Sequence, residues 1–341
     1  MVFPSIEEIS NSPAFRTAIW KLEPHQSGLL PVATGRGGPL NISWEVHGEG
    51  PMKLILIGGI SLTKIDWQPQ TMYFGHEHGD KFSVLVIDNR GAGESDKPVM
   101  RYRTSEMARD LLEVVDHIGW TGARQLHISG GSMGGMIAQE FAVLVPERIA
   151  SLNLHCTAAK LESDGTLAEV TERLKSLFPK SLESEIRLTA DGCFPREWLE
   201  ATDEAQLPDQ NTPKCKVPEG GYKKFESNYA RFAAQEIHMR RTKSGFLLQA
   251  VAGFFHQKSP EQLRDLADKV GRERIMVLHG TVDGMISVDH GRKLIEYLEP
   301  GKGLIVEGLG HAPIYQRTRW FNELLEERCM LCEKLKESQG T

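Results

Sequence analysis

The chain has no long apolar run. No stretch approaches the ~18–20 consecutive apolar residues that a membrane-crossing helix needs, so no membrane span is expected. The opening Met1-Val2-Phe3-Pro4-Ser5-Ile6-Glu7-Glu8 lacks the basic-then-apolar order of a signal peptide. The closing Ser338-Gln339-Gly340-Thr341 matches no lipidation or retention signal. Cysteine is scarce and odd in number. The five residues Cys156, Cys193, Cys215, Cys329 and Cys332 make no disulfide framework and suit a reducing, cytoplasmic compartment. Cys329 and Cys332 form a C-x-x-C pair, but no second pair or histidine lies nearby. In a charged tail of helical period they read as two thiols on one helical face. A strong excess of one charge is also missing. Forty Lys and Arg stand against 46 Asp and Glu, for a net charge of −6. Nothing in that balance points to nucleic acid or to an anionic membrane as partner. There is no internal repeat, no low-complexity tract and no signature of a particular oligomeric state.

What is present is an ordinary globular composition, 40% hydrophobic and 25% charged over 341 residues. That length suits one large domain carrying an insertion. Short apolar runs, each ended by Gly or Asp, alternate with longer segments of helical period. Such alternation predicts βαβ units around a mostly parallel sheet. Strands are expected at Leu40–His47, Lys53–Ile57, Phe82–Asp88, Gln125–Ser129, Ile149–His155, Arg274–His279 and Gly303–Val306, with an earlier one at Gly28–Ala33. Helices are expected from a Thr104 or Ser105 cap to Ile118, from Ser132 to before Pro146, and over Val288–Leu298 and Arg317–Lys336. The rhythm breaks over residues 157–259. This stretch is rich in charge, carries Pro195, Pro208, Pro213 and Pro218, and shows no buried strand. It reads as a mainly helical insertion, with loop at Glu204–Tyr222, between core segments 1–156 and 260–341.

The strongest chemical signal is Gly130-Gly131-Ser132-Met133-Gly134-Gly135. It holds G-x-S-x-G between the apolar run Leu126–Ile128 and the helical run Met136–Phe141, the strand–turn–helix context of a nucleophile elbow. Residues beside the serine must be small for so tight a turn. A phosphate-binding loop would need Gly-Lys-Ser/Thr, and no lysine is present. A chance Gly-rich turn would not need the flanking strand and helix.

A serine hydroxyl is a poor nucleophile without a base. In triads built on such an elbow the chain order is serine, acid, histidine. Two later segments suit: strand Ile275–Leu278 followed by His279-Gly280-Thr281-Val282-Asp283, and strand Leu304–Val306 followed by Glu307-Gly308-Leu309-Gly310-His311. Each places a reactive side chain on a loop just past a strand, at the edge where sites form in parallel sheets. Among twelve histidines, His311 follows a strand and a Gly-rich turn. His279 reads as support for its loop, and His290 as solvent-facing at a helix start. Asp283 is preferred as acid over Asp289, which reads as the first turn of a helix. Acyl chemistry also needs oxyanion donors. The backbone N–H of Met133 is one candidate and that of Ile60, after Gly58-Gly59, the other.

Four blocks together resemble the α/β-hydrolase superfamily in its esterase-like, cap-bearing branch: Ile57-Gly58-Gly59-Ile60, Asp88-Asn89-Arg90-Gly91-Ala92-Gly93-Glu94-Ser95, the Ser132 elbow, and the Asp283 and His311 loops. The resemblance implies the α/β-hydrolase fold, an eight-stranded, mostly parallel sheet flanked by helices, with a cap or lid inserted after the sixth strand, where residues 157–259 lie. Many relatives have His-Gly where this chain has Gly58-Gly59. An oxyanion donor is a backbone amide, so that change is expected to alter the loop wall rather than abolish catalysis. Arg90 is expected to tie loops together.

The expected activity is hydrolysis of a carboxylic ester of a small or medium-sized apolar substrate, through an acyl-enzyme on Ser132, Asp283 and His311. No metal or organic cofactor is required. The same triad supports carbon–carbon bond hydrolysis, acyl transfer or amide cleavage. A non-catalytic ligand-binding protein is the alternative from another class. Trp198, Phe246, Phe254 and Phe255 are candidates either for pocket lining or for lid core.

Overall fold

A computed structural model describes residues 3–161, 181–239 and 243–339. Eight strands form one sheet: β1 (Gln26–Val32), β2 (Leu40–His47), β3 (Met52–Ile57), β4 (Phe82–Ile87), β5 (Leu126–Gly131), β6 (Ile149–His155), β7 (Ile275–Gly280) and β8 (Lys302–Val306), in the order β1-β2-β4-β3-β5-β6-β7-β8. β1 and β2 pair antiparallel, as do β2 and β4, and the remaining pairs are parallel. The expected strands are all present, with ends displaced by no more than two residues. The order reverses around β3, which has β4 on one side and β5 on the other. The loops after β3 and β5 therefore diverge from neighbouring strands, which opens a crevice at their carboxyl ends.

Every residue of β4, β6 and β7 is buried, as expected of strands covered on both faces. Alternate residues sort into two apolar layers. Ile55, Ile57, Ile128 and Leu152 face the helices α1 (Thr104–His117) and α2 (Met133–Leu144). Later in the chain, α6 (Pro260–Val270) and α7 (Val288–Leu298) join that layer. Leu54, Leu56, Val84 and Leu278 face the other way, onto Phe321, Leu325 and Cys329 of α8 (Thr318–Gln339). Each fully buried Leu, Ile or Phe contributes about 1.5–3 kcal/mol, so these layers hold the loops of the crevice rigidly. Cys329 and Cys332 are both buried on α8, and burial pushes both thiols up.

The start of α1 departs from expectation. Thr104 is its first helical residue, and Arg103 occupies the cap position without a side-chain cap bond. The Thr104 hydroxyl is instead engaged with His256 Nδ1 at 2.9 Å.

Between β6 and α6 the described residues form α3 (Leu182–Cys193), α4 (Asn228–Met239) and α5 (Lys243–Phe254), with a short helical turn at Arg196–Glu200, and none joins the sheet. A single bridge, Lys160 to Gln257, brings the ends of this stretch together. Ile186, Phe194, Tyr229 and Phe232 are buried in the same layer as Leu54 and Leu278, while Ala252 of α5 joins the opposite layer. The stretch thus packs on the sheet through both layers. No described helix is long and apolar enough to cross a membrane.

Candidate active site

Ser132 sits between the last residue of β5 and the first of α2, at φ 54° and ψ −128°. A non-glycine residue held there costs about 1–3 kcal/mol. Close packing enforces the turn. A Cβ on Gly130 would lie 2.5 Å from the Gly134 carbonyl oxygen, and one on Gly134 would lie 2.0 Å from that of Ile57. Bonds to the turn after β6 help hold the strained residue. Its N–H donates to the His155 carbonyl at 3.2 Å, and Thr157 Oγ1 donates to its carbonyl at 2.6 Å. Ser132 is half-buried.

The loop after β3 lies against the serine. A Cβ on Gly59 would be 3.1 Å from Ser132 Cβ. Gly58 is comparably closed, since a Cβ there would be 3.0 Å from Leu62 Cβ. The Ile60 N–H donates to no described backbone group, and Met133, first in α2, has no intrahelical acceptor for its own. Gln249 of α5, fully buried, secures this loop. Its Oε1 accepts from the Ser61 N–H at 2.6 Å, and its Nε2 donates to the Arg90 carbonyl at 2.9 Å. Arg90 is itself buried and holds Asp110 of α1 by two bonds of 2.6 and 2.7 Å. It ties its own loop to the helices α1 and α5 rather than to another loop.

Asp283 and His311 lie on the loops after β7 and β8. These loops touch so closely that a Cβ on Gly280 would be 1.9 Å from the Leu309 carbonyl oxygen. His311 Nδ1 is 3.0 Å from Asp283 Oδ1 and 2.8 Å from Oδ2. The Asp283 side chain is fully buried and that of His311 is 11% exposed, so the pair reaches the surface through the imidazole. Met285 N–H and Ile286 N–H each donate to Asp283 Oδ1 at 2.9 Å. Burial alone would raise the Asp283 carboxyl. The facing His311, hydrogen bonds from His279 and His311, and the Ile286 N–H outweigh it and hold the group well below the usual carboxylate range. Asp289 is not brought to this site; it is exposed and pairs with Arg292 at 2.7 Å. His290 packs against its own loop, with Nδ1 3.0 Å from Ser287 Oγ.

The turn after β6 lies between elbow and histidine. His155 accepts from Ser132 N–H, and the next residue, Cys156, lies with Sγ 3.6 Å from the carbonyl oxygen of Gly310, the neighbour of His311. Behind the elbow the His155 ring is fully buried, and neither nitrogen has a partner among the described residues. Burial, aided by nearby His311 and His279, pushes it down to about 3. Sequence reasoning overlooked this backing ring, and it overlooked Gln249, the only polar residue between Phe246 and Phe254.

The side chains of Ile60, Met133 and Met136 meet α5: a Cβ on Gly253 would lie 3.8–3.9 Å from their Cδ1, Cγ and Sδ atoms. Trp198 stacks on Phe194 at 4.4 Å, whereas Phe246, Phe254 and Phe255 are exposed. Two cavities of about 280 and 320 Å³ lie elsewhere, one at Thr104 and His256 and one at His25 and His76. No described group of three or more His, Cys, Asp or Glu is placed to hold a metal ion.

A model of the alpha/beta hydrolase fold family matches residues 55–318 of this chain. An Azorhizobium caulinodans protein assigned as a carbamate hydrolase is 29% identical over 164 residues, 48% of this chain and 58% of that protein. A 3-oxoadipate enol-lactonase of Acinetobacter baylyi is 37% identical over 95 residues, 28% of this chain and 33% of the relative. The match thus spans between a third and three fifths of those relatives. Among solved structures, a thermophilic esterase from Thermogutta terrifontis superposes with a TM-score of 0.68 at 20% identity, covering 90% of this chain and 99% of the other. At that identity the likeness speaks for the fold alone. With a family model matching most of its length and the eight-stranded sheet in place, the chain belongs to the α/β-hydrolase fold family.

Proposed function

We propose that the protein is a serine hydrolase that cleaves a carboxylic ester of a small or medium-sized apolar substrate through an acyl-enzyme. The observation that carries this reading is the strained Ser132, held at a strand–helix turn at the carboxyl end of β5, with His311 and Asp283 hydrogen-bonded to each other on loops at the carboxyl ends of the parallel strands β7 and β8. His311 takes the Ser132 proton as the hydroxyl attacks the ester carbonyl. The N–H groups of Ile60 and Met133 receive the oxyanion, and His311 returns the proton to the leaving alkoxide. His311 then activates water to hydrolyse the acyl-enzyme. Asp283 holds the imidazole with Nδ1 protonated, which leaves Nε2 free to act as base. No step calls for a metal or an organic cofactor.

The apolar surroundings of Ile60, Met133 and Met136 support an apolar acyl group. Residues 157–259, of which 162–180 and 240–242 lie outside the described residues, are assigned as the cap, with α5 against the Ile60, Met133 and Met136 side chains. Five free thiols support a reducing, cytoplasmic setting. The test combines a fluorophosphonate probe with a panel of activated esters of increasing acyl length. Labelling at Ser132, ester turnover and loss of both in Ser132→Ala are expected. Turnover with an unlabelled Ser132 peptide would overturn the reading.

A further inference from the structure

We infer that His279 is a positioning residue for the acid: its Nε2–H anchors the Asp283 carboxylate and shares its charge with a second imidazole. This rests on the reading of Asp283 and His311 as acid and base proposed above. His279 lies next to last in β7 and is fully buried. Its Nε2 is 2.9 Å from the Ile286 carbonyl oxygen and 3.2 Å from Asp283 Oδ2. Both neighbours are acceptors, so Nε2 must carry a hydrogen. Ile286 N–H in turn donates to Asp283 Oδ1 at 2.9 Å, which closes a circuit of ring, carbonyl and carboxylate. The fold makes room for the ring. A Cβ on Gly291 of α7 would lie 2.4 Å from His279 Cβ and 2.6 Å from Nδ1. Asp283 therefore has two backbone donors on Oδ1 and, on Oδ2, the longer branch of the Nε2–H that His279 shares with the Ile286 carbonyl, and it cannot turn away from His311 without losing one of these contacts.

The two imidazoles compete for one carboxylate. A donated hydrogen bond stabilises the charged carboxylate and makes it less basic. Removing His279's donor leaves a more basic carboxylate facing His311, which favours the imidazolium over the free base. Other titratable groups facing the pair are His155 of β6, the Cys156 thiol and the Cys193 thiol, whose backbone carbonyl accepts from the His311 N–H at 2.8 Å. Burial pushes His155 down to about 3 and the Cys156 thiol up, so neither changes charge in the neutral range.

The experiment is the pH dependence of kcat/KM for an activated ester in the wild type, His279→Leu and His279→Gln, with near-ultraviolet circular dichroism to verify the fold. The Gln amide nitrogen occupies the place of Nε2. In His279→Leu the midpoint of the acid limb should move up by about half to one pH unit, and kcat should fall about tenfold with little change in KM. His279→Gln should restore the midpoint. If His279→Leu does not fold, His279→Asn, too short to reach Asp283, replaces it. A folded donor-free variant with lower activity but an unmoved midpoint would overturn the inference, as would a Gln variant shifted like the Leu variant. His311→Ala separates the two levels. If the ionisation persists there, the acid–base reading itself fails. If it vanishes there yet stays put in the donor-free variant, only the role of His279 fails.

Discussion

The Asp283 carboxylate meets His311 Nδ1 with both oxygens, at 3.0 and 2.8 Å, from a fully buried position. A carboxylate in that place selects the tautomer whose Nε2 can accept a proton. Asp283→Asn keeps the shape but offers an amide, which stabilises the opposite tautomer. The variant should fold and should lose kcat on the order of 10⁴-fold, as where a triad aspartate has been replaced. Asp289→Asn, at an exposed ion pair with Arg292, should stay near wild type. Steady-state kinetics on the two variants decide the matter, and the reverse pattern would transfer the acid to Asp289.

Ser132 is strained for the sake of its position. At φ 54° a glycine is at ease where a serine is not. Ser132→Gly should therefore abolish ester hydrolysis while raising stability by about 1 kcal/mol. Thermal or urea unfolding measures this. A variant less stable than the wild type would mean that the serine side chain contributes contacts outweighing the backbone strain.

Much of this site could be read in the chain because its parts are local. The elbow is a contiguous motif, and each candidate loop directly follows an apolar run. β2 and β6 occupy the expected residues, since their ends carry turn signals. β1 starts two residues early, because an edge strand pairs through its backbone whether or not Gln26 and Ser27 are apolar. What was hidden depends on long-range placement. His279 could be seen to end a strand, but not that its ring turns back onto Asp283, which requires the bare Cα of Gly291 opposite. Gln249 reaches Ser61 across 188 positions of sequence, and no periodicity encodes such a partner.

Acid should weaken the fold through histidines that are buried uncharged. Burial pushes His155 and His256 down to about 3 and His76 down to about 4. Above the ordinary imidazole value of about 6.5 these groups are neutral whether folded or unfolded, and pH has no effect through them. Below it the unfolded chain takes up protons that the folded chain refuses. Stability therefore falls with falling pH, by up to about 1.4 kcal/mol per unit for each histidine, until the folded values are reached. Asp283, held below the usual range, adds its own loss only below about pH 4. Among the described residues the His155 ring makes no hydrogen bond and packs edge-on against Trp67 and Phe321, so His155→Leu can keep the packing. Unfolding free energies between pH 7 and 4.5 should decline less steeply in this variant. An unchanged slope would assign the acid sensitivity elsewhere.

Gln249 offers the sharpest test of whether α5 belongs to the catalytic apparatus. Its amide bridges the Ser61 N–H and the Arg90 carbonyl, all within buried surroundings. Ser61 directly follows Ile60, the proposed oxyanion donor, and it carries a positive φ of 60°. Gln249→Leu preserves volume but strands a buried N–H and a buried carbonyl, at about 1–3 kcal/mol for each unsatisfied group. The loop should respond by rotating the Ser61 peptide toward another acceptor, which moves the neighbouring Ile60 N–H off the position of the oxyanion. Loss of one such donor outright costs about 10²–10³ in kcat. A displaced donor should therefore cost at least about tenfold in kcat, with little change in KM for a short ester. Labelling of Ser132 by a fluorophosphonate should slow in parallel, because the phosphonyl oxygen uses the same amides. A variant that loses stability yet keeps both rates would show that Gln249 only fastens α5 to the sheet domain and leaves the Ile60 amide where it was.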